Sequence, residues 1–179
     1  MPKTIVDPER AFDRVRAMAF DVDGVLSANT ILLPEIDTQP VRTANIKDGY
    51  ALQLAVRRGV PIAIITGGKS AAVYQRYRNL GITHVYQSVS MKMPVYERWL
   101  HLCGLRDEDV LYMGDDIPDY EIMTRCGLAC CPADAADEIK EIAHYVSPFD
   151  GGMGCVRDVV SRVLKAQGKW TGDKIAFGW

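Results

Sequence analysis

The sequence predicts an α/β fold: a Rossmann-like parallel sheet with helices on both faces and a projecting β-hairpin. Three observations predict it. Short apolar runs recur at 18–22, 60–65, 85–86, 110–113 and 128–131, with the length and unbroken apolarity of strands buried on both faces. Amphipathic segments of helical spacing alternate with them. The chain has 179 residues, 48% hydrophobic and 25% charged, which suits one domain with one sizeable core.

Each element follows in order. Residues 18–22 read as the first buried strand. Residues 31–46 break the rhythm, because Pro34 and Pro40 punctuate two short extended stretches. They read as a hairpin leaving the sheet. A helix is predicted over 48–58, with Leu52, Ala55 and Val56 on one face and Gly59 as its stop. Residues 60–65 are the clearest strand, bounded by Gly59 and Gly67. Val73, Tyr77 and Leu80 mark a helix over 69–80, and Val95, Trp99 and Leu102 mark one over 94–103. Over 155–167, Val156, Val159, Val160, Val163 and Leu164 form a full core stripe. Residues 169–179 hold two tryptophans, a phenylalanine and little periodicity, and read as a disordered end or a docking arm. The whole chain, 1–179, reads as one domain carrying the 31–46 hairpin and the 169–179 tail.

Composition narrows function. The net charge is −2 with both signs interspersed, so no basic field attracts nucleic acid or an anionic membrane. An anionic substrate therefore needs a local device: a metal, a lysine or a helix N-terminus. Five cysteines, an odd number without paired C-x-x-C units, read as reduced thiols of a cytoplasmic protein. The first sixteen residues carry charges throughout, unlike a signal peptide. No apolar run approaches the roughly 20 residues that span a bilayer.

Four constellations carry chemistry. Asp21 and Asp23 follow the first strand and precede Gly24. In a parallel sheet, strand carboxyl ends face the ligand. Two neighbouring carboxylates have pKa values pushed apart, so one can be ionised and the other protonated. Thr66, Gly67 and Gly68 end the second long strand, where a hydroxyl and open backbone N–H groups can bind phosphate oxygens. Lys92, near a helix start, offers a compact cation. Asp115, Asp116 and Asp119 follow the strand at 110–113; clustered carboxylates repel one another, and Mg2+ resolves that repulsion. Each element alone has a bland reading as an Asx turn, a capped loop, a solvated lysine or an acidic helix start. Their ordered combination points to phosphoryl transfer.

With these motifs the chain resembles the haloacid dehalogenase superfamily, whose four motifs correspond in order to Asp21 and Asp23, Thr66, Lys92, and Asp115 with Asp119. Too little sequence separates the first strand from the first helix for a cap domain, as in the capless branch. More narrowly, it resembles the family of 3-deoxy-D-manno-octulosonate 8-phosphate phosphatases. The resemblance spans roughly residues 18–169, through Asn45-Ile46-Lys47-Asp48-Gly49-Tyr50, Leu80-Gly81-Ile82-Thr83-His84-Val85-Tyr86-Gln87, Gly151-Gly152-Met153-Gly154 and Ala166-Gln167-Gly168-Lys169. It implies a magnesium-dependent phosphomonoesterase of lipopolysaccharide precursor synthesis. Asp21 would be the nucleophile and Asp23 the acid and base. Magnesium would be held by the Asp21 side chain, the Asp23 backbone carbonyl and Asp115. Thr66, Gly67 and Lys92 would bind phosphate, with Asp116 and Asp119 supporting the site. It also implies a homotetramer in which hairpins pack together and one subunit's tail covers its neighbour's site.

Three departures concern the substrate rather than the chemistry. The family usually has Asp-Gly where this chain has Ala28-Asn29. It usually has arginine where this chain has Gly68 and Met153. Both arginines would face a sugar acid; Lys47 and Lys69 are candidates to replace their charge, and equally suit solvated helix starts. The eight-carbon acid phosphate is the leading substrate. The alternatives are its nine-carbon relative, a broader sugar phosphatase, an idle tetrameric scaffold, or a phosphoaspartate receiver. The receiver lacks an acid two residues after its nucleophile.

Overall fold

A computed structural model describes residues 8–34 and 39–178. Unbroken apolar runs build the centre of the sheet, because every side chain in them is buried: β1 (Ala17–Phe20), β2 (Ile62–Ile65), β4 (Val110–Met113) and β5 (Leu128–Cys131). β3 (His84–Tyr86) and β6 (Tyr145–Val146) are half-covered edges. All pair in parallel, in the order β3-β2-β1-β4-β5-β6.

The helices are α1 (Pro8–Asp13), α2 (Ile46–Arg57), α3 (Ala71–Asn79), α4 (Lys92–Cys103), α5 (Tyr120–Arg125), α6 (Asp137–Ile142) and α7 (Cys155–Ala166). One face of the sheet packs Phe20 and Ile64 against Phe12, Leu52, Tyr77 and Val159 of α1, α2, α3 and α7. The other packs Ile65 and Tyr112 against Trp99, Ile122 and Ile139 of α4, α5 and α6. The five strand runs read from the sequence are all present. α1, α5, α6 and β6 are additional. α4 begins two residues before the predicted start, which makes Lys92 its first residue.

In the 31–46 segment, Leu32 and Val41 exchange backbone hydrogen bonds of 3.2 and 3.0 Å as a single antiparallel bridge. The expected tip, at 35–38, lies outside the described residues. The tail folds onto its own chain. Trp170 meets Tyr50 edge to face, Asp173 pairs with Arg58 at 2.6 Å, and buried Ala176 accepts the Tyr50 hydroxyl through its carbonyl. Residue 179 lies outside the described residues.

The strand order fixes where a site can lie. The chain runs outward through β1, β2 and β3, then returns to place β4 on the other side of β1. Connections leave in opposite directions there, so the carboxyl ends of β1 and β4 open onto a crevice.

Candidate active site

Both acidic motifs emerge at that crevice. Asp21 is the first residue past β1, and its N–H donates to the Met113 carbonyl at the end of β4 at 3.1 Å. Gly24 then turns the chain with φ 88°. A β-carbon there would stand 1.9 Å from Asp115 Oδ2, so only glycine lets Asp115 close against the first loop. Oxygens of Asp21, Asp115 and Asp119 lie within 4.8 Å of one another. Gly151 and Gly152 pack so tightly on this loop that β-carbons there would meet the Gly24 carbonyl oxygen at 2.0 Å and the Ala28 nitrogen at 2.5 Å.

One cation sits among the three carboxylates. Lys92, buried at the start of α4, places Nζ 3.0 Å from Asp21 Oδ2 and 2.7 Å from Asp119 Oδ1. Asp119 is fully engaged: Oδ1 also accepts the Tyr112 hydroxyl at 2.5 Å, and Oδ2 accepts the Asp115 N–H at 3.3 Å. Asp119 therefore holds Lys92, which leaves Asp21 and Asp115 with oxygens free to ligate.

Electrostatics agree. Burial, then the Asp119 charge, pushes Asp21 up to about 7 against the opposing pull of Lys92. Burial, then Asp21 and Asp119, pushes Asp115 up to about 7. Burial lowers the Lys92 pKa, but its two carboxylate partners outweigh that and raise it. Three carboxylates facing one ammonium leave an excess of negative charge in a confined space. That donor set fits a hard divalent cation with oxygen ligands.

Thr66 follows β2, buried, and its hydroxyl accepts the Gly68 N–H at 3.1 Å. Asp21, Asp23, Thr66, Gly67, Gly68 and Lys92 line one cleft of about 440 Å³. Its size suits a phosphate ester with part of its sugar. Asp116 is exposed and accepts the Ile117 N–H at 2.8 Å, capping its own turn outside the carboxylate cluster. Lys47 and Lys69 are exposed and stand apart from the lining of this cleft.

Two contributors carried no sequence signal. The Tyr112 hydroxyl fixes Asp119 from within a strand that reads only as apolar. Arg42, a lone cation in the 31–46 segment, forks onto both oxygens of Asp23, with Nε–Oδ1 at 2.5 Å and Nη2–Oδ2 at 2.9 Å.

Comparison with known proteins agrees with this geometry. Residues 82–154 match the family described as haloacid dehalogenase-like hydrolase. The chain is 38% identical over 157 residues to the 3-deoxy-D-manno-octulosonate 8-phosphate phosphatase of Escherichia coli K12, covering 88% of this chain and 83% of that protein. The crystal structure of the same-named phosphatase from Yersinia pestis superposes with a TM-score of 0.86 at 35% identity, covering 90% and 86% of the two chains. The Moraxella catarrhalis phosphatase, solved with magnesium ion, phosphate ion and a KDO molecule, superposes with a TM-score of 0.85 at 30% identity, covering 89% and 91%.

Proposed function

Because the chain belongs to the haloacid dehalogenase-like hydrolases, among the 3-deoxy-D-manno-octulosonate 8-phosphate phosphatases, we propose that it hydrolyses this eight-carbon sugar acid phosphate to the free acid and phosphate. The observation that carries this reading is Asp21, held by Lys92 and facing Asp115 across the crevice between β1 and β4.

The residues divide the work. The Asp21 carboxylate attacks phosphorus and forms an aspartyl-phosphate as the ester P–O bond breaks. Asp23 protonates the departing sugar oxygen, then takes a proton from the water that cleaves the aspartyl-phosphate. Thr66, the Gly67 N–H and Lys92 hold the phosphoryl oxygens, while Asp119 and Tyr112 keep Lys92 aimed. The Asp21 and Asp115 side chains and the Asp23 carbonyl would hold magnesium, which would supply positive charge against the transferring phosphoryl group.

The reaction belongs to lipopolysaccharide precursor synthesis in the cytoplasm, where five cysteines outside any disulfide are stable. Association into a homotetramer through the 31–46 segments is supported by Leu32 and Leu33, 72% and 79% exposed, beside exposed Ile31 and Val41. None of the described tail residues lines the chain's own cleft, so any cover the tail gives is over a neighbour's. A second reading, the nine-carbon acid phosphate, is kept open by Gly68 and Met153, which stand where the family usually has arginine. An idle scaffold has no chemical use for Asp21, Asp115 and Lys92 held together.

The test is phosphate release from the eight-carbon and nine-carbon acid phosphates, each with magnesium and with chelator. A magnesium-dependent preference for the eight-carbon acid supports the proposal. Preference for the nine-carbon acid selects the second reading, and no turnover of either moves the substrate elsewhere.

A further inference from the structure

Gly68 leaves an opening, and Arg42 fills it. A β-carbon at Gly68 would stand 2.7 Å from Arg42 Nη2 and 3.2 Å from Asp23 Oδ2. The guanidinium arrives from the return arm of the 31–46 segment and is 8% exposed. Its fork is spent on Asp23, and Nη1 makes only a 3.4 Å bond to the Pro40 carbonyl. Arg42 also lines a second cleft, of about 420 Å³, whose lining includes neither Asp23 nor Gly68, the residues that line the reaction cleft. Arg76 lines the second cleft too, and its Nε is buried without a hydrogen-bond partner.

We infer that Arg42 is a specificity residue: it receives a carboxylate carried by the substrate away from its phosphate, and releases Asp23 as it does so. The inference rests on the phosphatase reading above and names the residue that reads the acid. The planar fork of a guanidinium matches a carboxylate in two parallel hydrogen bonds, and the Asp23 oxygens occupy that fork in the resting protein. Asp23 cannot serve a leaving oxygen while both of its own oxygens are bound. A buried guanidinium gives up one carboxylate at low cost only when another anion of the same shape replaces it. Lys92 is committed to Asp21 and Asp119, so Arg42 is the cation placed to make that exchange beside Asp23. An ester without a carboxylate meets Asp23 still clamped and reacts poorly.

The test uses a matched pair, gluconate 6-phosphate and glucose 6-phosphate, beside the eight-carbon acid phosphate. The wild-type protein is expected to favour the acidic ester of the pair in kcat/KM. Arg42→Gln lowers that preference by on the order of 10- to 100-fold, chiefly through the KM of the acidic ester, as expected for losing hydrogen bonds to a charged group. Arg42→Lys restores part of it as a point charge without the fork. Gly68→Ala lowers it with Arg42 still present, because the new methyl displaces the guanidinium; Gly68 has no positive φ, so this variant tests the inference even if Arg42→Gln fails to fold. A preference equal in wild type and variants, with both esters falling together, overturns the inference and leaves Arg42 as a tether for the first loop. Turnover of the eight-carbon acid without preference in the matched pair overturns this inference alone. No magnesium-dependent turnover of any ester overturns the phosphatase reading and this inference together.

Discussion

Asp21 has one partner for each demand placed on it: Lys92 restrains its charge, Asp115 shares its metal face, and the Met113 carbonyl fixes its backbone. Asp21→Asn keeps the shape and removes the nucleophile, so turnover of any phosphate ester falls by about 10³-fold or more while the circular dichroism spectrum is retained. Residual turnover within tenfold of wild type would rule out the covalent route. The residues of this cluster were legible one at a time, because each directly follows an apolar strand or opens a helix. Their partners were not. Tyr112 and Arg42 act through contacts made only when distant segments meet, and neither carries a local pattern that separates it from an ordinary strand tyrosine or surface arginine. Lys47 and Lys69 show the converse, since a cation near a motif in sequence stands in solvent once the helices form.

At the scale of elements, the long periodic helices and apolar strands were visible, and the short ones were not. α1, α5 and α6 have six residues each and β6 has two, fewer than a periodic pattern needs to declare itself. One connection between elements has a measurable charge. Asp48, in the first turn of α2, is 2% exposed and accepts the Arg157 N–H of α7 at 2.7 Å, while its other oxygen has no partner. Burial pushes its carboxyl up to about 6. The folded chain therefore holds this proton above the unfolded pKa, so its contribution to stability is full below about pH 4 and is lost as pH rises to about 6. Asp48→Asn removes that loss, which is on the order of 3 kcal/mol once the carboxyl is fully ionised. Denaturant melts at pH 4.5 and 7 should show the variant gaining on wild type at the higher pH, and parallel profiles would show that the buried charge costs nothing.

For the whole molecule, the tail changes what a truncation tests. The sequence left it between a disordered end and a docking arm; the structure packs Trp170 on Tyr50 and under the Arg157 guanidinium, and buries Ala176 against α2. A chain ending at Gly168 should melt several degrees lower, since about 1–2 kcal/mol of apolar burial is lost. Its sugar phosphate turnover, measured well below that melting temperature, should fall further than the stability loss accounts for. Unchanged kcat/KM there would remove the tail from the reaction. The arrangement of strands was only partly legible, because alternation predicts a parallel sheet but not which strand returns beside β1. That return has a consequence for the newborn chain. Asp21 leaves the ribosome early, and Lys92 and Asp115 leave much later, so the first half of the polypeptide carries Asp21 without the ammonium that restrains it or the carboxylate that shares its metal face. The metal face of the site therefore forms only when β4 docks beside β1, after more than half of the chain has emerged.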